Sequence, residues 1–304
     1  MKLQNIILGA LIIVLSISSA SAQINILNAE TAEDIGQKTY DQLMKDNDMP
    51  LPYGFIDERD ILWSKATWEI IDLDERVNFP LYFPIFTNDI GSDRRSLYDV
   101  LMTNIKNGVI KNIYADSYFN TKRTLKDLEA TMRVRDTTNP GIDQYNKTGG
   151  KDGGGFVDDE FIKEYVVTTK DIEQWKIRGL WYIDKRLGEL RYRIIAICPV
   201  AEEARAQATG DKGGLVDLFW VYFPSAREVL HNAKAFNKKN TSRPISYDHI
   251  LNSRRFSGVI YKEENVYGDR EIDDYLIKNS FMQLLESDRI KEKIRNIELD
   301  LWNY

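Results

Sequence analysis

The residues of this chain that could do chemistry are few and widely spaced. His231 and His249 are its histidines and Cys198 is its single cysteine, which excludes a histidine-rich metal centre and an internal disulfide. His231 follows Leu230 on a predicted amphipathic helix and His249 lies within a short one, positions that read as surface or helix-end residues. Cys198 ends an apolar run and reads as a buried structural thiol. Carboxylates cluster at Asp72-Leu73-Asp74-Glu75 and Asp158-Asp159-Glu160. Either group could hold a divalent cation weakly, but neither has calcium-loop spacing, and a solvated face is the simpler reading. The glycine run from Gly149 to Gly155 lacks both the Walker spacing and the Lys-Ser/Thr that closes it, so it reads as a flexible loop. For hydrolysis the best-placed acids are Glu160 and Asp217. Asp217 opens an otherwise apolar stretch, where burial would tune it for proton transfer, although a satisfied carboxylate at a strand end is the commoner outcome. No serine, histidine and acid set stands in a recognisable motif.

Two other patterns point to contact rather than reaction. Arg191 and Arg193 project from one face of a predicted strand, with Leu190, Tyr192 and Ile194 on the other. Flat guanidinium groups beside aromatics favour protein interfaces; the plainer alternative is a solvated face pairing with Glu189. Near the C-terminus Ile290, Ile294, Ile297 and Leu301 recur at spacings of 4, 3 and 4, a narrow seam suited to one partner surface. With Trp302 and Tyr304 these are the candidate protein-contact residues. No catalytic, cofactor or metal position is assigned, and no cofactor is expected.

The elements that would position these residues centre on a hairpin. Trp181–Ile183 and Leu190–Ile197 read as strands across a turn at 184–189. Val216 to Phe223 is apolar on both faces, as in a central strand covered on both sides. Ile61 to Val77 fits a helical stripe better than a strand, and Phe79 to Pro84 reads as extended because of its prolines. Capping residues at Thr31, Ser96, Thr124, Ser225 and Ser246 predict helix starts. Val109–Tyr114, Phe161–Val167 and Phe256–Tyr261 read as further strands. The glycine-rich stretch at about 136–160 reads as a flexible excursion, and the chain ends in helix from about Asp273 with a possible restart at Ser287. The expected fold is α+β, a mixed or antiparallel sheet around the 181–197 hairpin and the 216–223 strand, packed by helices and closed by a C-terminal helix.

The first residues read as an export signal: Met1-Lys2, an apolar run from Ile6 to Leu15, and small residues before Gln23. Residues 1–22 would be removed and 23–304 would form a single α+β domain. Gln23 stands where a lipoprotein would need cysteine, so any membrane association would pass through a partner and not through direct insertion. A formal net charge of −6 makes general nucleic-acid binding a poor fit.

The C-terminal third carries a family resemblance. Ser246-Tyr247-Asp248, Arg254-Arg255-Phe256-Ser257, Lys262, Asn265-Val266-Tyr267, Arg270-Glu271-Ile272 and Tyr275 follow one another in order. Leu285–Lys291 and the ending Glu298–Tyr304 complete the pattern. Upstream, Ile61-Leu62-Trp63, Trp68, Ile71-Asp72-Leu73, Pro80–Pro84, Arg193–Pro199 and Leu218–Pro224 agree. Together they resemble the gliding-motility protein GldN (PorN) family over nearly the whole chain outside the glycine-rich stretch. One departure is Gly268-Asp269, a residue longer than the pattern. The resemblance implies a periplasmic, non-enzymatic component of the type IX secretion system, peripherally associated with the inner face of the outer membrane. It implies a ring of this protein with a GldK/PorK-like outer-membrane lipoprotein, in contact with a GldM/PorM-like motor protein. Two readings from other classes remain beside it: a periplasmic hydrolase using scattered carboxylates, and a peptide-binding adaptor or chaperone working at a sheet edge.

Overall fold

The structure, a computed structural model, describes residues 49–86, 94–149, 155–209, 213–240, 244–277 and 279–301. The export signal and the helix expected after Thr31 lie outside the described residues. The first long element corrects the sequence reading. Ile61–Asp72 is a strand, β1, and not a helix. Its Trp, Ile and Thr content suits a pleated surface, and Thr67, Trp68 and Glu69 are all buried, so both faces are covered as in an interior strand. Phe79–Tyr82, expected to be extended, is a single helical turn, α1. Pro80 sits in its first turn, where no intrahelical donor is missed.

Helix α2 (Leu97–Lys106) begins where Ser96 predicts, its hydroxyl accepting the Asp99 N–H at 3.2 Å. The strand expected over 109–114 contracts to β2 (Ile113–Tyr114). Helix α3 (Leu125–Met132) carries the reciprocal Thr124–Asp127 capping box. The stretch predicted as a glycine-rich excursion is partly structured, holding the end of β3 (Arg133–Thr137) and α4 (Asn139–Lys147), and the strand expected over 161–167 forms as β4 (Ile162–Val166), antiparallel to β3. Residues 150–154 lie outside the described residues.

The central hairpin is longer than its sequence signal, β5 (Ile172–Asp184) and β6 (Glu189–Glu202), followed by α5 (Ala204–Thr209). The single strand expected at 216–223 is instead two short ones, β7 (Leu215–Asp217) and β8 (Trp220–Tyr222), and Phe223 already opens helix α6 (Phe223–Asn232). β7 pairs with the end of β6 and β8 with its middle. Leu218 and Phe219 are both buried between them, while Val216 and Tyr222 are exposed. Continuous two-sided cover was the wrong reading because consecutive apolar residues at 218 and 219 both turn inward. Helix α6 starts ahead of the Ser225 cap expected for it, with Pro224 in its first turn; the Ser225 hydroxyl donates to the Tyr222 carbonyl at 2.8 Å.

β9 (Lys234–Ala235) and β10 (Ile245–Ser246) form a small ribbon before α7 (Tyr247–Asn252), which Ser246 caps. Then come β11 (Val259–Glu263), α8 (Ile272–Tyr275) and α9 (Ser280–Leu301). The terminal helical segment breaks between Tyr275 and Ser280; Ser287 lies inside α9 and restarts nothing. The main sheet has seven strands in the order β11-β1-β5-β6-β8-β2, with β7 on β6, and its pairs are antiparallel. This is the α+β architecture the sequence predicts. Sheet and helices α2, α6 and α7 enclose the main core, with Leu101, Ile177, Ile197, Phe219, Leu230 and Tyr247 at its centre. Trp68, Cys198 and Trp220 anchor a smaller cluster, and a third joins Ile260 and Ile272 to α9.

Candidate functional site

Two groups of interior charges among the described residues are closed on one another. β1 carries Glu69 to full burial, where it accepts two bonds from Arg254, at 3.0 and 2.7 Å. The Arg254 guanidinium lies 4.3 Å from the Tyr192 ring centroid, 5.1 Å from Trp181 and 5.3 Å from Phe256. Burial works against its charge, and the charge and bonds of Glu69 outweigh that, so its pKa is raised. Desolvation also pushes the Tyr192 phenol well above its ordinary range. Gly179 on β5 makes the packing possible, since a Cβ there would overlap the Tyr192 ring and hydroxyl.

A second closed group holds the segment before β1 against α6 and α7. Arg227 and Asp248, both buried, pair at 2.8 Å. Arg227 also donates to the Leu51 carbonyl at 2.6 Å and lies 4.0 Å over the Tyr53 ring. Arg193 covers the same ring at 4.6 Å and donates to the Gly54 carbonyl at 3.0 Å. The Tyr53 hydroxyl donates to Asn252 at 2.7 Å; burial is the main cause that pushes its pKa up to about 12. Thus Arg193, a candidate contact residue, is engaged by its own chain. Arg191 pairs at 3.1 Å with Glu189, the local carboxylate that the sequence names as its alternative partner.

On the smaller-cluster side, the Trp68 indole donates to the Ser117 hydroxyl at 3.0 Å, and Arg178 donates to the Ser117 carbonyl at 2.6 Å. Arg178 and Lys262 each lie over both Trp68 and Tyr118. The Tyr118 hydroxyl reaches on to Asp269, donating at 2.9 Å, and so ties this stack to the loop after β11. The turn of that loop passes through Gly268 and Asp269, at φ +80° and +58°.

The carboxylates weighed for hydrolysis are not brought together. Asp217 ends β7 and pairs with Lys176 at 2.7 Å. Glu160 is exposed on the turn before β4. Among the described residues no hydrogen bond or ion pair joins them, and no group of three His, Cys, Asp or Glu side chains is placed to hold a metal ion. His249 is exposed and His231 half-buried, each on a helix. Cys198 is fully buried, and burial pushes its thiol pKa well up. No helix of the described residues is long and apolar enough to cross a membrane.

The terminal seam divides in two. Ile290 and Ile294 are buried against Ile260 and Ile272 of the same chain. Ile297 is half-buried and Leu301 is 38% exposed; Trp302 and Tyr304 lie outside the described residues. Sequence reasoning missed the opposite face of α9, where Phe281, Leu284 and Leu285 are exposed at the i, i+3, i+4 spacing of a helical stripe. It also missed the loop after β11, where Val266 and Tyr267 are 93% and 72% exposed. Val266, Tyr267 and Leu285 were in view as parts of the family pattern, and only three-dimensional exposure marks these two stretches as contact candidates.

The sheet's ends are covered. The outward N–H of Ile260 on β11 donates to the Ser287 hydroxyl at 2.9 Å, and the Lys291 ammonium donates to the Gly258 carbonyl at 2.8 Å. At the other end β2 has two residues, and its Tyr114 bridges to Lys122. Such coverage blocks strand addition there.

The family model described as Gliding motility associated protein GldN matches residues 56–303. No curated protein matches the chain.

Proposed function

The chain belongs to the GldN family and is a component of the gliding-motility and type IX secretion machinery; from this premise we propose that it acts as a non-enzymatic structural subunit in the periplasm. In this reading it forms a ring with a GldK/PorK-like lipoprotein beneath the outer membrane and contacts the periplasmic part of a GldM/PorM-like motor. A ring requires a heterologous interface, in which two different patches of one subunit meet.

The observation that carries the reading is the division between interior and surface. The Glu69–Arg254 and Arg227–Asp248 pairs lock their charges inside the fold, while α9 holds large apolar side chains in solvent. Large exposed apolar groups on a folded domain mark contact sites. The hydrolase alternative has the paired Asp217 as its best acid, and the adaptor alternative meets covered sheet ends.

Co-purification with candidate outer-membrane lipoproteins, followed by particle sizing, tests the proposal. Discrete large particles containing both proteins are the expected result. If the protein fails to bind every such lipoprotein, the ring is lost. If Asp217→Asn abolishes secretion while the particles stay intact, the non-enzymatic role is lost.

A further inference from the structure

The loop from Glu264 to Arg270 is a rigid knob with an apolar tip. The Asn265 N–H donates to Asp269 Oδ1 at 3.0 Å, the Tyr267 N–H donates to Asn265 Oδ1 at 2.9 Å, and the Asn265 amide donates to the Glu263 carbonyl at 3.2 Å. Asp269 is fixed in turn by Tyr118. These bonds order a loop whose tip, Val266 and Tyr267, makes little use of that order within its own chain. Arg270 stands beside the tip, 5.0 Å from the Tyr267 ring and 4.4 Å from the Tyr275 ring. Stacking holds its flat group in place, and among the described residues it makes no ion pair.

Next to the knob is a half-open recess of about 340 Å³ with an apolar floor that includes Ile70, Val259 and Ile272. Glu271 and Asp273 line it, as does Lys176, whose ammonium is already taken by Asp217 at 2.7 Å. The Asp273 carboxylate accepts from Gln283 at 2.7 Å, and Glu271 caps α8, but neither has a cationic partner among the described residues. One patch therefore holds an apolar projection and an apolar hollow, an unpaired cation and unpaired anions. That combination is complementary to itself under a two-fold rotation, which brings the knob of each copy to the recess of the other and Arg270 to the acids across the axis.

We propose that this patch is a two-fold contact between two copies of the chain, with Val266 and Tyr267 entering the partner's recess and Arg270 facing its Asp273. The contact is separate from the heterologous ring interface and forms in the protein alone. It is small, so its dissociation constant falls on the order of 10–100 μM. The net charge of −6 opposes association and makes the Arg270 pairing the element that sets register.

Sedimentation velocity on the natively exported, purified protein, without partners, over about 1 to 200 μM tests it. A monomer–dimer equilibrium is expected. Val266→Asp should weaken it at least about tenfold, with circular dichroism and melting temperature unchanged because the residue is 93% exposed. Arg270→Glu and Asp273→Arg should each weaken it, and the double reversal should restore it. A monomer throughout the range overturns the proposal, and so does open-ended growth beyond the dimer. A dimer indifferent to Val266→Asp, or one not restored by the double reversal, overturns it as well. None of these results depends on whether a lipoprotein ring forms.

Discussion

Glu69 and Arg254, 185 residues apart in sequence, face each other through two parallel hydrogen bonds that tie the second strand of the sheet to the turn after α7. The Glu69 side chain is fully buried and that of Arg254 is 28% exposed. Arg254→Met should leave an uncompensated buried carboxylate and destabilise the fold by about 3–5 kcal/mol. Glu69→Leu with Arg254→Met should recover most of that loss, because the desolvation cost is removed with the pair. Urea unfolding of the two single variants and the double gives the comparison. A double variant no more stable than Arg254→Met alone would contradict the account.

Across the β5–β6 hairpin the Tyr192 ring fills the space that a Cβ at Gly179 would need. Gly179→Ala should cost about 1–3 kcal/mol by overpacking. Tyr192→Phe should not relieve it, since ring carbons as well as the hydroxyl crowd the glycine. In a Tyr192→Leu background the alanine should add almost nothing, a coupling that a double-mutant cycle measures directly. Full additivity would show that the ring is not the obstacle.

Ser287 supplies the acceptor for the edge N–H of Ile260, and both residues are buried. Ser287→Ala should leave that donor unpaired at a cost of about 1–3 kcal/mol. Amide exchange at Ile260 should accelerate more than at the centre of β5. Unchanged exchange at Ile260 would mean that another acceptor takes over.

Tyr53, Tyr118 and Tyr275 each have a phenol pushed up to about 12, with burial the first cause in every case. Tyr118 and Tyr275 are pushed further by the carboxylates they bond, Asp269 and Glu286. The ordinary value is about 10, so the folded state holds these protons more tightly than the unfolded chain. Their contribution to stability is complete below pH of about 10 and is lost as pH rises through about 12. Spectroscopic titration should show a tyrosine class that ionises together with unfolding. Ionisation of every tyrosine near pH 10 in a folded protein would refute this.

Local chemistry was enough to locate several elements. The Ser96, Thr124 and Ser246 caps act within one turn of backbone, and each opens the helix expected of it. The 181–197 hairpin was visible because a turn and alternating apolar residues need no distant partner. The α+β class and the family pattern followed from such short-range signals and their order. Ile61–Asp72 was not decidable in this way: its apolar spacing fits a helix, and it becomes a strand because β5 and β11 offer it partners more than a hundred residues away.

The contact residues show the same limit. Ile290, Ile294, Ile297 and Leu301 were legible as one stripe, since helical spacing is a property of sequence alone. Which part of that stripe is covered was settled by β11 and α8, which bury Ile290 and Ile294 and leave Leu301 partly exposed. In the same way the sequence by itself placed Arg193 beside aromatics, while its use as a clamp on Tyr53 and Gly54 was decided by tertiary folding. Periodicity and capping are written along the chain; burial, pairing and exposure belong to surfaces that exist only once distant segments have met.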